Sequence, residues 1–526
     1  MIFVKRLVNV KRDWKLSAFM GLIILLILVS LACSQLPRGA GETWKVSTPG
    51  AAQTAQAKRQ QQDAAAATAL PMDKPAWTPT PDMPRLLPTL RSEPEEYIVR
   101  PNDTLAKIAG LYQVSVEEIV KANDLPNPDL LEIGQVLVIP APLPGLPGSA
   151  MKIIPDSELV FSPGTVGFDT QAFVASQGGY LAGYQEEVEG ELYSGAQVVE
   201  RIARDYSVNP RLLLAILEYR SGWVTQVKPD EATHEYPVQS SEPWRKGLYL
   251  QLAWTANQLN RGYYLWRVNA IGAFPLKNGE FVPADATLNA GTAGVQYLFG
   301  LLYERAEWDV AVSAAGLQRV YTQLFGYPFL FTFEPLLPAD LTQPSMQLPF
   351  EPGRQWAFTG GPHGGWGDGS AWAALDFAPP GGALGCVQSD EWVTAVADGL
   401  IVRAGLGAVI QDLDTAGNTA DGLEQTGWVV LYMHIETRDR VQAGAYLKAG
   451  ERIGHPSCEG GFSSGTHVHL ARRYNGEWIP ADQSLPFTLD GWVSLGGGKE
   501  YDGFLQKGDV QIEAWEGYFP YNMIGR

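Results

Sequence analysis

Two histidines separated by one residue, His467 and His469, lie close to the C-terminal end of the 526-residue chain. They fall in a short stretch whose composition is typical of a β-strand. Side chains alternate between the two faces of a strand, so both imidazoles should project on one side while Val468 points into the core. Two imidazoles on a rigid strand favour a metal or acid/base site, and two solvent-facing histidines are the alternative.

Further candidate ligands surround this pair. The chain has 6 histidines, and five lie in roughly its last third: His363, His434, His455, His467 and His469. Asp376 lies in an apolar stretch, 372–378, which predicts a buried strand. His363 lies among glycines and a proline, which predicts a loop that can bend close to an ion. Two histidines and a carboxylate leave a fourth position for water, and this is the pattern of catalytic zinc sites.

Five motifs between 358 and 479 follow one another in an order that resembles the LytM or lysostaphin-type zinc metallopeptidases, which cut peptide bonds in bacterial peptidoglycan. They are a His then Asp pair, Ala395 to Gly399, Tyr432-x-His434, Gly450 to Gly454, and the final His-x-His. The resemblance implies a mostly antiparallel β domain with the site in a groove. By position it implies that His363, Asp376 and His469 bind Zn²⁺. His434 and His467 would then share the roles of proton acceptor and oxyanion stabiliser beside the attacking water.

One spacing departs from the family pattern. The family usually places its first His and its Asp four residues apart, whereas His363 and Asp376 are thirteen apart. Asp368 is therefore a rival ligand. We prefer Asp376 because it has a strand context, while Asp368 lies between glycines in a predicted loop. His455, which precedes a proline, is predicted to have a structural or ligand-supporting role.

The three cysteines divide into two groups. Cys33 follows an N-terminal apolar run, whereas Cys386 and Cys458 flank the region between the histidines of the peptidase-like segment. In an oxidising compartment this pair could form a disulfide, and free thiols that bind zinc are the alternative. Closing a loop of this length contributes on the order of 4 kcal/mol in the chain-entropy model.

Residues 1–33 have the pattern of an export segment, with basic residues followed by an apolar run that ends at Cys33. The sequence Ser30 to Cys33 resembles a bacterial lipoprotein cleavage box, which favours lipidation of Cys33. An uncleaved membrane anchor is the alternative. Either interpretation places the remaining chain outside the cytoplasm and against a membrane. Residues 34–95 are rich in Ala, Gln, Pro and Thr, which predicts a flexible linker.

Residues 96–140 predict a compact βααβ unit, with hydroxyl N-cap candidates at Thr104 and Ser115. The unit resembles the LysM module, in which Asn102 to Leu105 stands for the family's Gly-Asp-Thr-Leu. The resemblance implies binding of N-acetylglucosamine-containing glycan through Asp103, Thr104, Leu105 and the segment that follows Asn123. Asp103 and Thr104 can also simply cap the first helix, and the two roles are compatible.

After a Pro/Gly-rich linker, 141–149, the segment 150–345 has helix-like apolar spacing and predicts a mainly helical domain. The run from Asn209 to Glu218 resembles the opening of a lytic transglycosylase, a lysozyme-like fold. That family has a catalytic Glu directly before Ser-Gly, but Arg220 stands there and Glu218 lies on a different helix face. The general acid of glycoside cleavage is thus missing, which favours a degenerate glycan-binding or scaffolding domain over an active glycosidase.

The whole chain is therefore predicted to be a multidomain α+β protein. Its length calls for several domains: the LysM-like module, the helical domain, a peptidase domain over 346–485 and an extension over 486–526 that packs on it. The net charge of −18 argues against binding of nucleic acid. We predict an exported zinc metalloendopeptidase that acts on peptidoglycan peptide stems. A non-enzymatic peptidoglycan-binding protein or amidase activator is the alternative.

Overall fold

The computed structural model describes residues 45–46, 87, 91–101, 103–142, 145–240, 242–381, 385–413 and 420–526. The predicted export segment and the lipidation of Cys33 lie outside the described residues, as does most of the predicted linker. No helix of the described part is long and apolar enough to cross a membrane.

The α-helices, in chain order α1 to α10, are Leu105–Tyr112, Val116–Ala122, Thr170–Gln177, Tyr180–Gly183, Gly195–Tyr206, Pro210–Ser221, Leu248–Arg267, Ala290–Leu302, Arg305–Ala311 and Leu317–Phe325. The β-strands, β1 to β22, are Lys45–Val46, Glu95–Ile98, Val136–Ile139, Gln185–Val188, Glu191–Ser194, Ala273–Pro275, Phe281–Pro283, Gln355–His363, Ala374–Ala378, Val393–Thr394, Gly399–Gly405, Ala408–Leu413, Trp428–Met433, Tyr446–Leu447, Arg452–Gly454, Val468–Tyr474, Glu477–Trp478, Thr488–Leu489, Trp492–Gly496, Gly503–Lys507, Val510–Glu513 and Met523–Gly525. Short 3₁₀ helices are Asp156–Glu158, Pro163–Thr165, Glu231–Thr233, Pro243–Arg245 and Pro328–Phe331.

The N-terminal unit has the predicted βααβ order. Its strands β2 and β3 pair antiparallel, and α1 and α2 lie between them in the sequence. Thr104 caps α1, because its hydroxyl accepts from the amide of Lys107. Ser115 forms a capping box with Glu118 at the start of α2. Both caps agree with the hydroxyl N-caps that the sequence predicts.

The middle region is mainly helical, as predicted. The stretch 290–308 has continuous helix-like apolar spacing, but the structure divides it between α8 and α9. Tyr303, at the break, has an extended backbone, and its carbonyl accepts from the amide of Lys277. The hydrogen bond to this neighbouring segment replaces a helical one.

The C-terminal region is built on a mostly antiparallel sheet, which confirms the predicted fold class. Its main path among the described residues is β1-β11-β12-β13-β16-β9-β8-β22, with β14 paired to β11 and β17 to β16. The 486–526 extension contributes the edge strand β22, which pairs with β8. The extension therefore completes the sheet and does not merely cover it.

The two faces of this sheet have different partners. One buried apolar cluster joins the helical domain to Val402, Ile410 and Leu431 of the sheet. The opposite face packs around Phe358 and Leu470 with residues of the C-terminal extension. The helical domain and the sheet consequently share one hydrophobic core along the first face.

Candidate metal centre and active site

Three adjacent strands bring the predicted ligands together. On β16, His469 lies directly opposite Asp376 of β9, and Asp376 pairs in turn with Gly360 of β8. His363 is the last residue of β8, so the predicted loop at this position is wrong. The glycines before it let the strand approach its neighbour closely, since a Cβ on Gly360 would lie 2.7 Å from Oδ2 of Asp376.

The ligand atoms of this group face one another. Nε2 of His363 lies 2.9 Å from Nδ1 of His469, and each of these nitrogens lies 3.2 Å from Oδ1 of Asp376. The other nitrogen of each ring, called the outer nitrogen, forms a hydrogen bond to the backbone. Nδ1 of His363 donates to the carbonyl of Gly361, and Nε2 of His469 donates to the carbonyl of Gly365. These two bonds assign the protons to the outer nitrogens, so that lone pairs and a carboxylate oxygen converge on one point.

Such a convergence is favourable for binding a cation. Oδ1 of Asp376 is buried and accepts no hydrogen bond of good geometry, although burying an unpaired carboxylate is costly. Burial alone would raise the pKa of the Asp376 carboxyl, but the His363 and His467 imidazoles hold it well below its usual range. The carboxylate therefore stays ionised. An N, N, O donor set of this kind fits Zn²⁺ with an open fourth position.

His434 and His467 lie beside this group, with their ring centroids 4.5 Å apart. Nδ1 of His434 donates to the carbonyl of Glu459, and Nδ1 of His467 donates to that of Gly465. Each ring therefore keeps Nε2 as a proton acceptor. Burial and the neighbouring imidazoles lower the pKa of His434 to about 3, which keeps it neutral. His434 adopts a left-handed backbone with φ of 64°, an uncommon conformation that turns the chain directly after β13.

The site opens into a cavity of about 380 Å³ whose walls come from three parts of the chain. The peptidase-like region supplies the histidines, and the C-terminal extension supplies Tyr501, which stacks on His363 at 4.2 Å. The helical domain contributes Arg201, Tyr206 and Tyr249. These aromatic and charged residues were missed by the sequence analysis. No local motif marks them, because they reach the site only through the packing of distant segments.

Asp368 and His455 have other partners. Asp368 forms an ion pair with Arg261 of α7 and lies in the loop between β8 and β9, outside the histidine group. His455 is buried, with Nδ1 bonded to the carbonyl of Glu391 and its ring against Trp392. Both arrangements are those of structural residues.

Cys386 and Cys458 form a disulfide, with the sulfur atoms 2.12 Å apart, which confirms the predicted pairing. The bridge joins the segment before β10 to the segment before β16. The amide of Thr466, just ahead of the His-x-His, donates to the carbonyl of Gly385. The disulfide thus holds the entry to the strand that carries the histidine pair.

The predicted glycan-binding residues have structural contacts in the N-terminal unit. Asp103 accepts from the hydroxyl of Tyr97 and the amide of Arg100, and Thr104 caps α1. The side chain of Leu105 is 4 % exposed and lies in the core, so only its backbone could contact a ligand. Asn123 bonds both the amide and the carbonyl of Val138, which ties α2 to β3.

The helical domain has no free carboxylate where the lytic transglycosylase resemblance would need one. Glu218 accepts from the amides of Val224 and Thr225 and from the Thr225 hydroxyl. Arg220 donates to the carbonyl of Val238. Glu218 therefore serves as a helix-end acceptor, and a glycosidase activity gains no support.

Comparison with protein-family models divides the chain as follows. Residues 97–140 match the LysM domain, residues 152–339 match "LasA, N-terminal domain", and residues 375–480 match "Peptidase family M23". The chain thus carries a LysM module and an M23-type metallopeptidase domain, which confirms the predicted enzyme class. The lytic transglycosylase resemblance of the middle region is not confirmed. The M23 match begins after His363, so that ligand candidate depends on geometry.

Relatives with known names cover the same regions. Protease LasA of Pseudomonas aeruginosa is 26% identical over 355 residues, which is 64% of this chain and 76% of the relative. Beta-lytic metalloendopeptidase of Achromobacter lyticus is 27% identical over 165 residues, or 30% of this chain and 40% of the relative. The solved structure of the M23 metalloprotease pseudoalterin, 23% identical, covers 34% of this chain and 99% of its own with a TM-score of 0.27.

Proposed function

We propose that this protein is an exported zinc metalloendopeptidase that hydrolyses peptide bonds in the stems or cross-links of bacterial peptidoglycan. The observation that carries the proposal is the buried group of His363, Asp376 and His469, whose three ligand atoms lie within 4.8 Å of one another, with Oδ1 of Asp376 accepting no hydrogen bond. The M23 match and the printed names of the relatives support the same reaction class.

The proposed metal ligands are His363 through Nε2, Asp376 through Oδ1 and His469 through Nδ1. When bound, Zn²⁺ would polarise the scissile carbonyl and lower the pKa of the attacking water. The remaining chemistry belongs to side chains of this chain. Nε2 of His434 and of His467 can each accept a proton from that water and pass it to the leaving amine. The low pKa of His434 keeps its ring neutral, so its Nε2 lone pair is available to hold the attacking water by a hydrogen bond.

We further propose that the LysM module binds N-acetylglucosamine-containing glycan and holds the enzyme on its polymeric substrate. The segment around Asp103 and Thr104 and the segment after Asn123 supply the contacts. Lipidation of Cys33 would anchor the chain at the membrane, with the peptidase outside the cytoplasm. The peptidase domain would then act on cell-wall peptides while the N-terminus of the chain stays anchored at the membrane.

The test compares the purified whole chain with His469→Ala and Asp376→Ala variants. We expect one zinc ion per wild-type chain and release of peptides from peptidoglycan, with both lost in the two variants. Asp368→Ala should still bind one zinc ion at saturating metal, which separates the two aspartates. Asp390→Ala, an exposed surface change, is the neutral control. A wild-type chain that binds no zinc and releases no peptide would leave a binding or activator protein in place of an enzyme.

A further inference from the structure

The outer nitrogen of the His469 ligand is held by a backbone carbonyl. Nε2 of His469 donates to the oxygen of Gly365 at 3.1 Å, and the side chain is 90% buried by the surrounding chain. Because this bond places the proton on Nε2, it leaves Nδ1 unprotonated toward His363 and Asp376. Hydrogen bonds of this kind fix the tautomer and orientation of metal-binding histidines.

Gly365 belongs to the 364–372 loop, the long insertion between the first two ligand candidates. Within the loop, the amide of Gly365 donates to the carbonyl of Ala371, and the amide of Trp366 donates to the hydroxyl of Ser370. These bonds shape the loop. They do not fix its position above the histidines.

From outside the loop, Glu500 accepts from the amide of Gly364 and the amide of Ala481 donates to the carbonyl of Trp372. Helix α7 of the helical domain binds the part of the loop between these two points. Nδ2 of Asn257 lies 2.5 Å from Oδ1 of Asp368, and Oδ1 of Asn257 accepts from the amide of Gly369 at 2.9 Å. One helical turn further, Nη2 of Arg261 lies 2.6 Å from Oδ2 of Asp368. A single loop segment is therefore bonded by two side chains of one helix, which we name the α7 clamp (Asn257 and Arg261 on Asp368 and Gly369).

The contact is too close to be incidental. A Cβ on Gly369 would lie 1.9 Å from the carbonyl oxygen of Asn257, and one on Gly367 would lie 2.6 Å from its Oδ1. Gly367 also has a positive φ of 67°. The ring of Trp366, in the same loop, packs edge-to-face with the ring of Tyr206 at the end of α5. The glycines let the loop backbone lie directly on the helix.

We infer that the helical domain positions the metal centre through the α7 clamp: Asn257 and Arg261 are positioning residues that hold the loop so that Gly365 orients His469. The inference rests on the proposed zinc site. It gives Asp368, the rival ligand, the role of an anchor for the loop. It also makes the helical domain a functional part of the peptidase site, because this domain binds the loop whose Gly365 carbonyl orients His469.

The experiment measures zinc affinity of the whole chain by competition with a chelator. We expect Arg261→Ala and Asn257→Ala to bind zinc more weakly, and the double variant on the order of tenfold more weakly, as for other residues that support metal ligands. Arg261→Lys, which keeps the charge, should recover most of the affinity. The matched control is Arg305→Ala, which removes another exposed ion pair of the helical domain, with Asp309, far in the sequence from the clamp.

A second readout reports on the histidine itself. ¹⁵N NMR of the imidazoles should show His469 as a single tautomer with its proton on Nε2 in the wild type. The Asn257→Ala/Arg261→Ala double variant should show a mixture of the two tautomers. A purely structural role of the clamp would lower the unfolding temperature without moving either quantity. Arg261→Ala removes a partly exposed ion pair and a hydrogen bond to the carbonyl of Asp368. It should fold as Arg305→Ala does, so its zinc affinity can be measured on folded protein.

The outcomes separate this inference from the function on which it rests. If the wild type binds zinc and both clamp variants bind it with the same affinity and the same His469 tautomer, the positioning role is overturned while the metallopeptidase stands. If the wild type binds no zinc at all, both are overturned. Weaker binding in the clamp variants, with Arg305→Ala unchanged, supports the inference.

Discussion

Two buried polar clusters on the same sheet differ in whether their charges are already matched. We call them the interface cluster (Asp205, Arg403, Glu424 and Arg473) and the site cluster (His363, Asp376, His434, His467 and His469). In the interface cluster, Arg403 lies between Asp205 of the helical domain at 2.5 Å and Glu424 at 2.7 Å. Glu424 also meets Arg473 at 2.9 Å. Two carboxylates face two guanidinium groups, so the formal charges of this cluster match one another.

The site cluster contains one carboxylate among imidazoles, and Asp376 keeps an oxygen without a hydrogen bond. Both clusters are buried to a similar degree, so burial does not distinguish them. The difference is that the interface cluster matches its own charges, whereas the site cluster directs two imidazole nitrogens and a carboxylate oxygen to one point that can hold a cation. An unmatched buried group on a rigid strand is therefore a better sign of function than burial or charge alone.

Breaking the interface cluster should have the largest effect on stability. Arg403→Ala leaves Asp205, among the described residues, with the more distant Arg201 as its ion-pair partner, at 3.6 Å, and it removes an ion-pair partner of Glu424. Removing one member of a buried ion pair typically costs about 3–5 kcal/mol. We expect a loss of this size in the free energy of unfolding, measured by urea titration of the metal-free protein. Arg305→Ala, in an exposed pair, should cost no more than about 1 kcal/mol.

The site cluster should respond in its chemistry instead. His434→Ala removes a proton acceptor that is not a proposed ligand, so zinc should be retained while kcat falls on the order of 100-fold, about 3 kcal/mol of transition-state stabilisation. Zinc content and peptide release measured on the same preparation check this. His455→Ala removes a buried histidine outside the cluster, and its folded fraction should keep the wild-type kcat. Equal loss of zinc and activity in His434→Ala would instead make it a ligand.

The members of the site cluster were predicted through the resemblance to the LytM family, and strand alternation, a local rule, supports part of that prediction. It places His467 and His469 on one side, and the strand context of Asp376 distinguishes it from Asp368. The position of His363 was mistaken, because Gly360, Gly361 and Pro362 have the composition of a turn. In the structure, Gly360 has no side chain where β9 passes close to β8, so the two strands can approach each other. This need for a glycine becomes evident only when the neighbouring strand is known.

The interface cluster could not be predicted from the sequence. Asp205 and Arg403 are separated by 198 positions, and each has the local context of an ordinary helix or strand residue. The same holds for Arg201 and Tyr249 in the cavity wall, and for the contacts of Asn257 and Arg261 with the insertion loop. The periodicity of apolar residues predicts which segments are helices and which are strands. The contacts between domains depend on how the surfaces of the folded domains pack together.

Another buried carboxylate is intermediate between the two clusters in how far its charge is matched, and it gives the smallest predicted effect. Glu477 of β17 meets Arg267 of α7 at 2.9 Å, yet its Oε2 has no hydrogen-bond partner. Burial raises the pKa of Glu477 to about 7 even though Arg267 opposes the shift. Since the folded state then holds a proton that the unfolded state releases near its ordinary pKa of about 4.3, this group favours folding at low pH.

The stability that Glu477 contributes should be present below about pH 4.3 and lost as the pH rises to about 7, by roughly 2–3 kcal/mol. Glu477→Gln keeps an acceptor for Arg267 but cannot ionise, so its free energy of unfolding should fall less between pH 5 and pH 7.5 than that of the wild type. Urea titrations at the two pH values measure the difference. Glu235→Gln, at an exposed pair with Lys246, should leave the wild-type profile unchanged. If Glu477→Gln also follows that profile, Glu477 is ionised in the folded protein and is fully matched by Arg267, as the carboxylates of the interface cluster are.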